Sequence, residues 1–129
     1  METKINGIKI IVNEMSIKNN SLPDGDFLLN PNIQRTISKS NQESNTYIID
    51  IKVDIHDKPD SRFPLDVSAH VSGFFNIEGD NNEEINSFLK IQGFQMVFPF
   101  VRSLIANATS NAMMPPLMLP IVYADSFDD

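Results

Sequence analysis

The chain has 129 residues, 41% of them hydrophobic and 21% charged, which fits one folded domain with a thin core and excludes the low-apolar pattern of disordered chains. It holds no cysteine, and this excludes disulfides, thiolate zinc sites and thiol nucleophiles. The net charge of −7 and the lack of any apolar run near about eighteen residues leave neither nucleic acid binding nor membrane insertion expected.

Residues 5–17, INGIKIIVNEMSI, alternate apolar and polar at Ile8, Ile10 and Val12 and then switch parity to Met15 and Ile17. One slipped residue in a strand predicts a bulge. The cluster NNSLPDGD reads as a turn, with Pro23, Asp24 and Gly25 as punctuation. Residues 32–40 form a weaker strand, with Ile33 and Ile37 on one side and Thr36 and Ser38 on the other.

The clearest strand is NTYIIDIKVDIHD. Tyr47, Ile49, Ile51, Val53 and Ile55 share one parity, and Asp50, Lys52, Asp54 and His56 share the other. DKPDS makes a turn, and FPLDVSAHVSGFFNI repeats the alternation from Phe63 to Ile77. Long alternating strands with short links predict a four-stranded antiparallel sheet with one apolar face.

At GDNNEEINSFLK the period becomes helical, with Asp80 or Asn81 as a cap and Glu83 and Glu84 suited to the positive end of the helix dipole. Apolar residues recur at helical spacing from Ile91 to Ala108, and Pro99 predicts a kink or break. Met96 and Phe100 form a second stripe beside the first. Two stripes imply apolar neighbours on more than one side of the helix, as between two sheets in an oligomer. Residues 103–121 then carry no charge and include the run MMPPLMLP. The class is α+β. The expected layout is a single unit over 1–129, with the sheet in 1–78, a helical region in 80–112 and an extended apolar crossover in 113–123.

Enzyme chemistry finds little to stand on. Asp54, His56, Asp57 and Asp60 could ligate a metal by type, but they lie where a strand runs into a turn, the usual place for solvated charge. His70 shares the polar face of its strand with Ser68 and Ser72. Gly-rich phosphate loops, HExxH and GxSxG are absent, so no catalytic residue, metal or cofactor is expected. The N-terminus METKINGIKI has no signal-peptide pattern, and a cytoplasmic protein is the simplest expectation. Residues 1–62 carry eight basic and nine acidic side chains, and residues 63–129 carry two and eight, an acidic half that would attract basic partners.

The run FPFVRSLIANATSNAMMPPLMLPIVY resembles the signature of the SecB family of export chaperones. The resemblance lies in Phe98-Pro99-Phe100, in Arg102 mid-helix, and in Pro116-Leu117-Met118-Leu119 followed by Pro120. SGFFNIEG, at 72–79, resembles the end of that family's fourth strand. The similarity is strongest over residues 72–123. It implies a homotetramer, a dimer of dimers, with helices between sheets and a groove that holds unfolded polypeptide without ATP. The groove residues it implies here are Phe74, Met96, Phe100, Met113, Met114, Leu117, Met118 and Leu119. Acidic positions facing the SecA motor would be Glu14 and Asp66, whereas two further expected acids fall on Lys18 and Ser68. Export members also carry a C-terminal helix and a cysteine-bearing zinc tail, while this sequence runs to YADSFDD. The resemblance therefore implies a client-binding core more directly than SecA docking. Two readings remain open: a general holding chaperone for unfolded or precursor chains, and a dedicated subunit for one partner such as an antitoxin.

Overall fold

The structure is a computed structural model that describes residues 3–41 and 44–127. Four antiparallel strands, β1 (Lys4–Asn19), β2 (Asn32–Lys39), β3 (Thr46–Ile55) and β4 (Leu65–Glu78), form one sheet in the order β1-β4-β3-β2. The alternation read from β3 and β4 is realised. Ile49, Ile51, Val53 and Ile55 pair with the buried side of β4, and all are at most 2% exposed.

The parity slip in β1 is a register shift between Val12 and Glu14, and a second shift lies between Ile5 and Gly7. Together they keep Ile5, Ile8, Ile10, Val12, Met15 and Ile17 opposite buried residues of β4, on one face. That face is only partly covered at this edge, because Ile5, Ile8 and Val12 remain 41%, 43% and 50% exposed.

A continuous helical rod follows. It consists of α1 (Asn82–Phe88), a π-helical turn (Leu89–Gly93) and α2 (Phe94–Asn111). Asn81 caps it, its side-chain oxygen accepting from the Glu84 N–H at 3.1 Å. Of the kink or break expected at Pro99, no break occurs. α2 runs unbroken through Pro99, and the irregularity is the π turn before it. Pro99 lacks the N–H that would reach the Gln95 carbonyl, but both residues are exposed, so water can serve that oxygen.

The rod buries Ile85, Leu89, Phe94, Val97, Phe98, Val101 and Ile105 on the sheet. Two glycines let it come close. A Cβ at Gly93 would stand 2.6 Å from Ile49 Cδ1, and one at Gly73 would stand 2.5 Å from Val97 Cγ2. Met96 and Phe100, the second stripe, stay 40% and 58% exposed. Among the described residues no helix is long and apolar enough to cross a membrane.

Candidate polypeptide-binding site

The site begins where α2 ends. The Met113 N–H bonds the Ser110 carbonyl at 3.0 Å and the Met114 N–H bonds the Thr109 carbonyl at 3.1 Å, a Schellman closure. It requires a left-handed residue, and Met113 supplies it with φ 63° where glycine is usual. Pro115 and Pro116 then hold the chain extended.

From there the C-terminal segment travels back along α2 and is fastened by its main chain. The Leu117 N–H donates to Thr109 Oγ1 at 2.8 Å, and Arg102 Nε donates to the Leu119 carbonyl at 3.2 Å. Arg35 Nη1 reaches the Ala124 and Lys90 carbonyls at 3.0 and 2.7 Å, and its guanidinium lies 4.6 Å over the Phe127 ring. Phe127 in turn meets Phe94 edge-on at 5.1 Å.

This path leaves a cleft of about 500 Å³. Met114, Pro115, Pro116 and Leu117 form one wall, and Leu22, Pro23 and Phe27 of the β1–β2 loop form the other. Phe63 and Leu65 also line it, with Phe27 edge-on to Phe63 at 6.5 Å and Asp24 as the carboxylate among the lining residues. Phe63 is held there by Asp57, whose Oδ1 accepts from the Phe63 N–H at 2.9 Å and from Arg62 Nε at 2.8 Å. Those bonds, that from Arg62 first, keep the Asp57 carboxyl below the usual carboxylate range. An apolar cleft bounded by prolines and aromatic rings can accept side chains of many shapes, and methionine adds adaptable contact.

The eight groove residues expected from the sequence do not all meet. Met114 and Leu117 line the cleft, while Met113 and Met118 are 93% and 61% exposed on the crossover. Leu119 is a correction: at 1% exposure it belongs to the core, because Arg102 draws its carbonyl onto the helix and turns its side chain inward. Met96 and Phe100 lie on the exposed side of α2. Phe74, paired with Ile48 of β3, is half-buried on the open face of the sheet, which stands between it and the helix.

Leu22, Phe27, Phe63 and Leu65 were not among the expected groove residues. The signal for the loop residues was the apolar set of Leu22, inside the segment read as a turn, and Phe27, Leu28 and Leu29 just after it.

The acidic positions differ from each other. Glu14 is exposed on the open face, opposite His70. Asp66 Oδ1 accepts from the Asp57 N–H at 2.8 Å and from Asn20 Nδ2 at 3.0 Å, and these bonds hold its carboxyl below the ordinary range. His70 Nε2 contacts Asp50 Oδ1 at 2.8 Å, and the Ser72 hydroxyl also donates to that oxygen. The bulge residue Asn13 donates to Ser72 Oγ at 2.6 Å, so the polar side of β4 is tied within the sheet. No group of three His, Asp or Glu side chains among the described residues is placed to hold a metal.

Comparison with known proteins decides the family. The profile described as preprotein translocase subunit SecB matches residues 2–127. The chain belongs to the SecB family. The protein-export protein SecB of Zymomonas mobilis is 32% identical over 93 residues, which is 71% of this chain and 57% of that SecB. An uncharacterized protein of Methanocaldococcus jannaschii is 34% identical over 114 residues, covering 88% of this chain and 70% of the relative. Among solved structures, a SecB-like chaperone of Mycobacterium tuberculosis, in complex with a ChAD peptide from the HigA1 antitoxin, superposes with a TM-score of 0.71. That match covers 93% of this chain and 90% of the other at 13% identity, and it shows a shared SecB-like fold.

Proposed function

We propose that this protein is a holding chaperone of the cytoplasm that takes apolar segments of unfolded or precursor polypeptides into the cleft beside its crossover, without nucleotide, in support of protein export. The observation that carries this reading is the cleft walled by Met114, Leu117 and Phe27, next to a crossover that exposes Met113, Met118 and Ile121 by 93%, 61% and 69%. Membership in the SecB family supports it. Each client side chain buried there gains roughly 1.5–3 kcal/mol before ordering costs, so several weak contacts must act together.

Assembly would supply that multiplicity. The uncovered side of β1 (Ile5, Ile8, Val12) and the exposed Met96 and Phe100 are surfaces that a homotetramer, a dimer of dimers, would bury. Sedimentation at micromolar concentration tests this, and a monomer contradicts it. A contact with SecA through the open face would rest on Glu14, since Asp66 is engaged within the fold.

The test of function is light scattering from several unrelated unfolded proteins mixed with stoichiometric chaperone and no nucleotide. Suppression of aggregation across the set is expected. Protection of a single partner alone would replace this reading with that of a dedicated subunit. The antitoxin peptide held by the M. tuberculosis SecB-like chaperone makes that the second reading.

A further inference from the structure

We infer that Thr109 is the positioning residue of the cleft, the single side chain that fixes the crossover wall in the shape that captures polypeptide. The inference rests on the chaperone reading above. Thr109 is fully buried in the last turn of α2. Both ends of the wall are attached to it, the Met114 N–H by the Thr109 carbonyl at 3.1 Å and the Leu117 N–H by Thr109 Oγ1 at 2.8 Å. The two residues between are Pro115 and Pro116, which have no N–H. Every main-chain donor of the segment 114–117 therefore ends on one residue.

The hydroxyl is oriented for this task. Its proton points back to the Ile105 and Ala106 carbonyls, at 2.9 and 3.0 Å, which turns a lone pair toward Leu117. Two consequences follow. The wall has no free N–H with which to extend a client as a β-strand, so it captures through the side chains of Met114 and Leu117. Their spacing is set by a bond that a valine, equal in shape to threonine, cannot make. Without the hydroxyl, the Leu117 N–H must turn toward water, and the Leu117 side chain leaves the cleft with it.

The experiment compares wild type, Thr109→Val and Thr109→Ser. The first readout is the affinity for a fluorescently labelled, reduced and carboxymethylated test polypeptide that cannot fold. The second is hydrogen exchange at the Leu117 amide, with the Val71 amide of β4 as a reference for global stability. Thr109→Val is expected to bind about tenfold more weakly and to exchange at Leu117 at least about tenfold faster, with Val71 unchanged. Thr109→Ser, which keeps the hydroxyl, is expected to restore both. Wild-type affinity in Thr109→Val overturns the inference and leaves the chaperone reading intact. Equal loss of protection at Val71 and Leu117 also overturns it, since Thr109 would then support the fold as a whole. A wild-type protein that fails to bind the polypeptide overturns the chaperone reading and the capture role with it.

Discussion

Replacing Gly73 with alanine probes how the helix is seated over the sheet, and hence how the cleft is held. The new Cβ would stand 2.5 Å from Val97 Cγ2 and 3.2 Å from Phe75 Cε2. Carbon atoms in contact prefer roughly 3.5–4.0 Å, so the helix and β4 must part by about 1 Å. Val97 cannot give way by rotating, because a β-branched side chain in a helix has one strongly preferred rotamer and this one is fully buried. Overpacking of this kind costs about 1–3 kcal/mol, offset by about 0.4–1 kcal/mol from the unfolded-state freedom that glycine loses. A net loss of about 1–2 kcal/mol is expected. With an unfolding entropy of about 2.1 cal/mol/K per residue over 129 residues, that lowers Tm by about 4–7 °C. Urea denaturation at fixed protein concentration measures the change free of any shift in assembly. Adding Val97→Ala should recover at least about 1 kcal/mol relative to the sum of the single losses. Undiminished stability in Gly73→Ala, or strict additivity of the pair, would refute the close approach.

Three further outcomes are expected. Met113→Gly relieves the left-handed backbone at φ 63° and should stabilise the protein by about 0.5–1 kcal/mol, raising Tm by about 2–4 °C. Arg35→Met removes the donors that reach the Ala124 and Lys90 carbonyls and should cost about 2–4 kcal/mol, with faster limited proteolysis within residues 120–127 as the local sign. Asp66, held below the ordinary carboxylate range first by the Asp57 N–H and then by Asn20, contributes stability that is present above about pH 4. This contribution is lost as the pH falls through the lower folded value, so Asp66→Asn should lose less stability than wild type as the pH falls below about 4 in an acid titration followed by circular dichroism.

Much of the sheet was legible because half-buried strands write their burial as alternation. The shared parity of Ile49 to Ile55 and the slip between Val12 and Met15 both appear as pairing and bulge. The π turn at Leu89–Gly93 left no such mark, since one widened turn keeps the apolar spacing nearly intact, and Pro99 drew the expectation of a break to the wrong place. Arg35 was legible in principle. It shares its parity with Ile33 and Ile37, and a charge on an apolar face calls for buried acceptors, which the C-terminal segment provides.

The crossover was read as one apolar surface, although extended chain alternates there too. Leu117 and Leu119 turn inward, and Met118 and Pro120 turn outward. The far wall of the cleft was hidden because Leu22 and Phe27 sit in a loop, where no period exists to betray which side chains fold back.

The central claim is that unfolded polypeptide enters the cleft between the crossover and the β1–β2 loop. Photo-cross-linking measures this directly, with a benzoyl-phenylalanine at position 117 in the cleft and another at position 36 on the open face of the sheet. A chemically unfolded client should be captured from position 117 and remain at background from position 36. Capture from position 36 alone, or equal capture from both, would contradict the account.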